Sequence, residues 1–370
     1  MLPPVPRDYP VLTVRGGRTR PVLVPMAHAL GTSAARLTEA PLLLIDLETE
    51  EGVTGRTYLF CYRPAGARVI AMLIEDALTL IKGDPVRPAD TAAKLARRFA
   101  LIGVTGTVRM ALSGLDVAMW DALATAAGLP LASLLGSAPR PIRAYNSCGL
   151  GLMTPQELGG EAMRLTERGF RAVKLRLGYS TLAEDLVALK AVRERVGGAI
   201  EIMVDYNQSL SATEGVLRAR ALALEGVAWL EEPVQYDDLA ANARIAALGT
   251  IPLQLGENFN GVEAMAAAVG ASACHLVMPD LARIGGVTGW MHAARLAAAH
   301  GIPMSSHLFP EVSAQLLAAT PTAHWLEYVD WADPVIQEPL RIIDGMAIVP
   351  ERPGTGIVWN EPAIVRYRMS

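Results

Sequence analysis

Lysine is scarce in this chain. Of its 33 basic residues only Lys82, Lys94, Lys174 and Lys190 are lysine, and the other 29 are arginine. Cysteine is scarcer still: Cys61, Cys148 and Cys274 are odd in number and widely spaced, so neither a disulfide framework nor a Cys-based zinc site is expected. No uncharged apolar run reaches the ~18 residues of a membrane span. Residues 1–8 lack the apolar core of a secretory signal, and a cytoplasmic protein is expected. There is no basic excess, since net charge is −4, which argues against nucleic acid or an anionic membrane as partner. Also missing are a Walker phosphate loop, His-Glu-x-x-His and Gly-x-Ser-x-Gly, and Gly149-Leu150-Gly151 lacks the third glycine of a dinucleotide fingerprint.

What is present is a chain of 370 residues, 51% hydrophobic and 19% charged, which folds and is large enough for two domains or one large barrel. Its first part, 1–135, reads as mixed α and β. Strands are expected at 21–25, 42–48 and 56–62, with Gly52 and Gly55 marking a hairpin turn. The polar, Gly/Ala/Thr-rich stretch 27–41 reads as a mobile loop. Helical periodicity dominates 67–127, and three strands followed by helices suggest an α+β cap.

From residue 143 short apolar runs alternate with amphipathic helices. Strands are expected at 144–147, 172–177, 201–205, 227–231, 253–257, 275–280, 302–307 and 325–328. Helices lie between them at 181–196, 213–224, 239–248, 261–269 and 288–300. Eight strands in right-handed βαβ units predict a parallel sheet closed into a barrel, and an open doubly wound sheet is the weaker alternative because no Gly-x-Gly-x-x-Gly follows an early strand. Charged residues end seven of these strands: Lys174 with Arg176, then Asp205, Glu231, Glu257, Asp280, His307 and Glu327. Their spacings of 31, 26, 26, 23, 27 and 20 residues are each about one βα unit. Any one of them alone reads as a helix cap or a solvated loop charge. Seven together converge on the barrel's C-terminal face, where barrel active sites lie.

Asp205, Glu231 and Glu257 come from consecutive strands, and three converging carboxylates would repel and desolvate badly without a partner. A divalent cation resolves this, and all-oxygen ligands favour Mg²⁺. Separate salt bridges to arginines are the alternative. Lys174 and Arg176, two apart on one strand, share the interior face and depress each other's pKa, which would make the lysine a usable base. Asp280 and His307 end adjacent strands, so the carboxylate would orient the imidazole as a general base. Glu327 would be protonated and donate to a developing oxyanion. Together these groups fit abstraction of the proton α to a carboxylate, through an enediolate.

Five runs carry a resemblance. They are Val204-Asp205-Tyr206-Asn207-Gln208-Ser209, Trp229-Leu230-Glu231-Glu232-Pro233, Gly256-Glu257-Asn258, Met304-Ser305-Ser306-His307-Leu308-Phe309 and LLAATPTAHWLE at 316–327. Through them the chain resembles the mandelate racemase branch of the enolase superfamily over essentially its whole length. The resemblance implies an α/β fold, a modified (β/α)7β TIM barrel with an N-terminal α+β capping domain. The cap would span 1–135, the barrel 136–345, and 346–370 would return to the cap. Asp205, Glu231 and Glu257 would bind Mg²⁺, His307 and Asp280 would form a catalytic dyad, and Glu327 would be the electrophilic acid. Lys174 would take the substrate carboxylate, and Asn207 and Ser147 its polar groups. The 27–41 loop and the hairpin with Phe60 and Tyr62 would close over the substrate. A homo-oligomer, dimer to octamer, is expected.

One position departs. The family's racemase carries Lys-x-Lys where this chain has Lys174-Leu175-Arg176. Arginine stays protonated and is a poor base. The leading reading is racemisation of a 2-hydroxy acid, with Phe60 and Tyr62 receiving an aryl or alkyl group. The alternative is an acid-sugar dehydratase, supported by Arg176 and by His28, Arg36 and Glu39. A binding or structural protein without turnover is the third, and the complete metal and dyad set argues against it.

Overall fold

The structure, a computed structural model, describes residues 11–32 and 36–369. Residues 1–8, read for a signal, and the centre of the 27–41 stretch lie outside the described residues.

Three antiparallel strands, β1 (Val14–Gly31), β2 (Arg36–Thr49) and β3 (Thr54–Phe60), form a meander with β2 in the middle. Residues 40–47 of β2 are all buried, as an apolar strand covered on both faces must be. On one face lie the helices α1 (Pro64–Ile81) and α3 (Gly106–Ala126), with α2 (Pro88–Arg98) packed beside them. Gly55 is required there: a Cβ on it would sit 1.9 Å from the Ala118 carbonyl oxygen of α3. The alternate residues Tyr58 and Phe60 face the barrel, where their rings meet Phe309 at 5.5 Å and Trp331 at 4.7 Å.

Of the expected loop at 27–41, the described residues 27–31 and 36–41 are strand. After a bulge between Pro25 and Leu30, the β1–β2 ladder resumes at Leu30↔Leu37 and Gly31↔Arg36. Ladder hydrogen bonds outweigh the weak strand propensity of this Gly/Ala/Thr-rich stretch.

The strands β4 (Ile142–Asn146), β5 (Ala172–Arg176), β6 (Glu201–Asp205), β7 (Leu230–Glu231), β8 (Leu253–Leu255) and β9 (Leu276–Val277) pair in parallel, each with the next. On its other side β4 pairs in parallel with β10 (Leu326–Tyr328). The strand expected at 302–307 is not a regular ladder. Single bridges, Val277↔Met304, Asp280↔His307 and Met304↔Ala323, close the ring instead. Pro303 lacks an N–H, so regular pairing cannot run through it. The helices between strands start on local capping chemistry. Thr154 with Glu157 and Thr181 with Glu184 form capping boxes for Pro155–Thr166 and Leu182–Val196. This is a modified (β/α)7β barrel beneath an α+β cap.

Beyond the barrel, β11 (Arg341–Ile343) and β12 (Met346–Ile348) form a hairpin whose second strand pairs antiparallel with β4. The chain then meets the cap again. Trp359 Nε1 donates to Asp46 Oδ1 (2.7 Å), Glu361 pairs with Arg20 (2.6 Å), and the Met369 N–H donates to the Pro21 carbonyl (3.0 Å).

Candidate active site

The short parallel strands bring their C-terminal residues to one point under the cap. Asp205 and Glu231 end β6 and β7 and are fully buried, and Glu257 lies two residues beyond β8. One carboxylate oxygen from each lies within 4.8 Å of the others. Lys174 Nζ sits among them at 2.8 Å from Glu231, 3.3 Å from Asp205 and 2.8 Å from Glu327. Asp205 is oriented by the N–H (2.7 Å) and side-chain amide (2.9 Å) of Asn207, whose φ of 45° turns the chain back over the strand end.

A single lysine cannot balance this much acid. Burial drives the Glu231 carboxyl up to about 8, against the pull of Lys174 and with the push of Asp205 and Glu327. Burial also raises Glu232, which follows it in the chain, well above the usual range, with Glu257 and Asp205 adding to the effect. Glu232 accepts from Asn258 Nδ2 (2.7 Å), and Asn258 Oδ1 accepts in turn from Arg283. These three residues support the acidic cluster, and the sequence reading passed over them. The tandem Glu231-Glu232-Pro233 was the available signal.

Lys174 differs from expectation. Burial opposes its charge, but Glu231, Glu327 and Asp205 outweigh burial and hold it protonated well above the ordinary lysine range. It is therefore a cation and not a free base. Glu327 also differs from the protonated acid expected. Burial would raise it, but Lys174 and His307 keep it ionised below the usual carboxylate range. Its Oε2 accepts from the Leu308 N–H (2.9 Å).

His307 lies opposite. Its Nδ1 meets Asp280 Oδ2 at 2.7 Å, and its Nε2 lies 3.5 Å from Glu257 and 3.8 Å from Glu327. Burial alone would lower its pKa, but Glu327, Glu257 and Asp280 outweigh it and push the imidazole up to about 9. Asp280 is fixed by a second duty, since its Oδ1 accepts from the N–H groups of Ala282 and Arg283 and caps the short helix Leu281–Ile284.

Arg176 stands on the same strand face as Lys174 and is 4% exposed. Its guanidinium donates to the carbonyls of Gly149 (2.6 Å) and Ser147 (3.3 Å) and to the Ser147 hydroxyl (3.2 Å). Its buried Nε has no partner among the described residues. The other expected contacts fall less neatly. Phe60, 2% exposed, is packed between Tyr62 and Trp331 in the core and offers no wall to a substrate. Tyr62, at a φ of 59°, leans on the Arg283 guanidinium. His28 is paired with Glu161, and Arg36 and Glu39 are exposed, so none of the three joins the acidic cluster. A cavity of ≈ 670 Å³ is lined by Gly31, Arg36, Gly151 and Tyr179 among others, and none of the strand-end charged residues lines it.

A cap over the C-terminal face of a parallel barrel, with three strand-end carboxylates facing a His–Asp pair, defines an enzyme of the enolase superfamily. Residues 14–136 match the mandelate racemase / muconate lactonizing enzyme N-terminal domain and 157–363 the enolase C-terminal domain-like family. The chain belongs to the mandelate racemase / muconate lactonizing enzyme family. It is 32% identical over 328 residues to the L-talarate/galactarate dehydratase of Salmonella typhimurium, covering 88% of this chain and 82% of that one. It is 30% identical over 345 residues to the 3,6-anhydro-alpha-L-galactonate cycloisomerase of Streptomyces coelicolor, covering 92% and 95%. Among solved structures, an enolase from Bradyrhizobium complexed with magnesium and mandelic acid is 40% identical, with a TM-score of 0.93 over 97% of this chain and 99% of that one. No helix among the described residues is long and apolar enough to cross a membrane.

Proposed function

We propose that this chain is a Mg²⁺-dependent acid-sugar dehydratase. Arg176 carries the reading. It occupies the place where racemisation needs a second base, and it is pinned by two backbone carbonyls and a hydroxyl as a permanent cation. That leaves His307, among the described residues, as the side chain that would take and return a proton. Sugar-acid dehydratases and cycloisomerases among the relatives support the same choice over racemisation.

Asp205, Glu231 and Glu257 would hold the Mg²⁺. A buried set of hard oxygen donors, with more negative charge than Lys174 offsets, fits a hard divalent cation. When bound, the ion supplies positive charge that stabilises the charge developing on the substrate carboxylate. Lys174 binds that carboxylate. His307 Nε2 would be neutral once positive charge at the metal site offsets the carboxylates that otherwise push the imidazole up to about 9, and it then removes the α-proton, while Asp280 on Nδ1 fixes which ring nitrogen reacts. The electron pair of the broken C–H bond forms the Cα–Cβ double bond as the β C–O bond breaks. The hydroxyl leaves as water with the proton His307 carried, and the enol ketonises to a 2-keto-3-deoxy acid. Arg176 offers its unpartnered Nε to a substrate oxygen, and Ser147 and Asn207 contact the substrate's polar groups.

Racemisation of a 2-hydroxy acid is the second reading, favoured by the mandelic acid bound to the Bradyrhizobium enolase. Turnover in deuterated water separates the two. Dehydration yields a 2-keto-3-deoxy acid from an acid sugar, and Arg176→Lys should lower its rate about tenfold or more through loss of the planar donor fork. Racemisation instead places deuterium at the α-carbon with every hydroxyl retained. Arg176→Lys would then raise the exchange, and that result would displace the dehydratase reading.

A further inference from the structure

Arg176 is held by a turn that is itself held from outside the barrel. The residues after β4 adopt left-handed backbone, with φ of 66° at Gly149 and 45° at Leu150. The turn keeps this shape because the Leu150 N–H donates to Glu161 Oε2 (2.6 Å), and because the carboxylate fills the space where a Gly149 Cβ would stand, 2.5 Å away. The same turn presents the Gly149 carbonyl to the Arg176 guanidinium and the Leu150 carbonyl to the Arg176 N–H (2.9 Å). Glu161 is buried on the helix Pro155–Thr166, and its other oxygen, Oε1, meets His28 Nδ1 at 2.9 Å. His28 belongs to β1, near the tip of the β1–β2 ribbon that reaches down from the cap. The ribbon touches the turn at a second point as well: a Cβ on Gly151 would lie 2.5 Å from the Gly31 carbonyl oxygen, so two backbones are in contact there.

We propose that Glu161 is a positioning residue that couples docking of the β1–β2 ribbon to the placement of Arg176, through His28 on one carboxylate oxygen and the 149–150 turn on the other. Charge supports the link. The hydrogen bond to Glu161 raises the His28 pKa against its burial, and His28 in turn helps hold Glu161 ionised although burial opposes it. Loosening the ribbon frees the carboxylate, and a freed carboxylate no longer fixes the carbonyl that orients the guanidinium. The inference rests on the reading of Arg176 as a substrate-facing cation for its kinetic part only; the mechanical part stands without any substrate.

Amide hydrogen exchange of the full chain tests the mechanical part. In His28→Gln, segments 22–31 and 147–152 should both exchange about tenfold faster, the size of one lost charge-assisted hydrogen bond. Faster exchange in 22–31 with 147–152 unchanged would overturn the coupling. Glu161→Gln, which keeps the volume of the side chain, guards against misfolding and should give the same paired response. Kinetics test the rest. Glu161→Gln should lower kcat about tenfold with little change in KM, and combining it with Arg176→Lys should cost scarcely more than Arg176→Lys alone. Losses that multiply, or a change confined to KM, would show that Glu161 does not act through Arg176. Absence of turnover in the wild type on every acid sugar and 2-hydroxy acid would count against the functional reading and leave the exchange result standing.

Discussion

His307→Asn is expected to lower turnover by at least about 10³-fold while the fold and the Mg²⁺ affinity persist. The imidazole is buried and touches Asp280, Glu257 and Glu327, and neither Asp280 nor Glu327 depends on it for its own placement. Asp280 is anchored by two N–H groups of the helix it caps, and Glu327 by the Leu308 N–H and Lys174. Asparagine fills part of the volume and removes the group that accepts the α-proton. Asp280→Asn should be milder, about 10- to 100-fold, because it weakens the support of the base and not the base itself. Its stability should change little, since asparagine caps a helix as well as aspartate does. Product formation, a thermal melt and a Mg²⁺ titration on each variant provide the check. Near-wild-type turnover by His307→Asn on the true substrate would remove the imidazole from the mechanism.

The chemistry of the site was legible because it lies at strand ends. Asp205 closes an expected strand that the structure reproduces at 201–205, and each further carboxylate recurs one βα unit later, a pattern that local sequence records. The state of those groups was not legible, because it depends on how many charges share one buried volume. Lys174 was expected to lose its proton to the pressure of Arg176. In the fold it lies within 3.3 Å of three carboxylates, while Arg176 turns away to backbone carbonyls. The part of the β1–β2 ribbon at 27–31 and 36–41 was hidden for another reason. Its residues carry little strand propensity, and its order comes from cross-strand pairing and from contacts such as His28 with Glu161, 133 residues apart. Phe60 was assigned to the substrate through the resemblance, which does not record the Trp331 ring that packs against it in this fold.

Glu257→Gln is expected to reduce turnover at least about 10²-fold and to remove most of the Mg²⁺-dependent rise in Tm, without lowering the Tm of the metal-free protein. Loss of one charged oxygen ligand weakens a metal contribution of several kcal/mol to the transition state, and each 1.4 kcal/mol is about tenfold in rate. Of the three clustered carboxylates Glu257 has the least structural duty. Among the described residues its side-chain donor is Asn258 at 3.3 Å, and His307 Nε2 lies 3.5 Å away. Neutralising it therefore relieves repulsion with Glu231 and Glu232 and strands no donor. In the wild type, Mg²⁺ at about a hundredfold above its Kd should add about 2.7 kcal/mol of stability. The pH dependence has a definite sign. Burial raises Glu231 to about 8, so the folded, metal-free protein holds a proton there that the unfolded chain releases near the ordinary carboxylate value. The stability linked to that proton is complete at low pH and is lost as pH rises toward about 8. Mg²⁺ needs the ionised carboxylate, so binding expels the proton, and affinity should rise about tenfold per pH unit between about 6 and 8 and level off above. Thermal melts and calorimetric titrations of wild type and Glu257→Gln at pH 6, 7 and 8, with chelator and with Mg²⁺, measure all of this. A wild-type Tm indifferent to Mg²⁺, or full activity in the presence of chelator, would overturn the metal assignment.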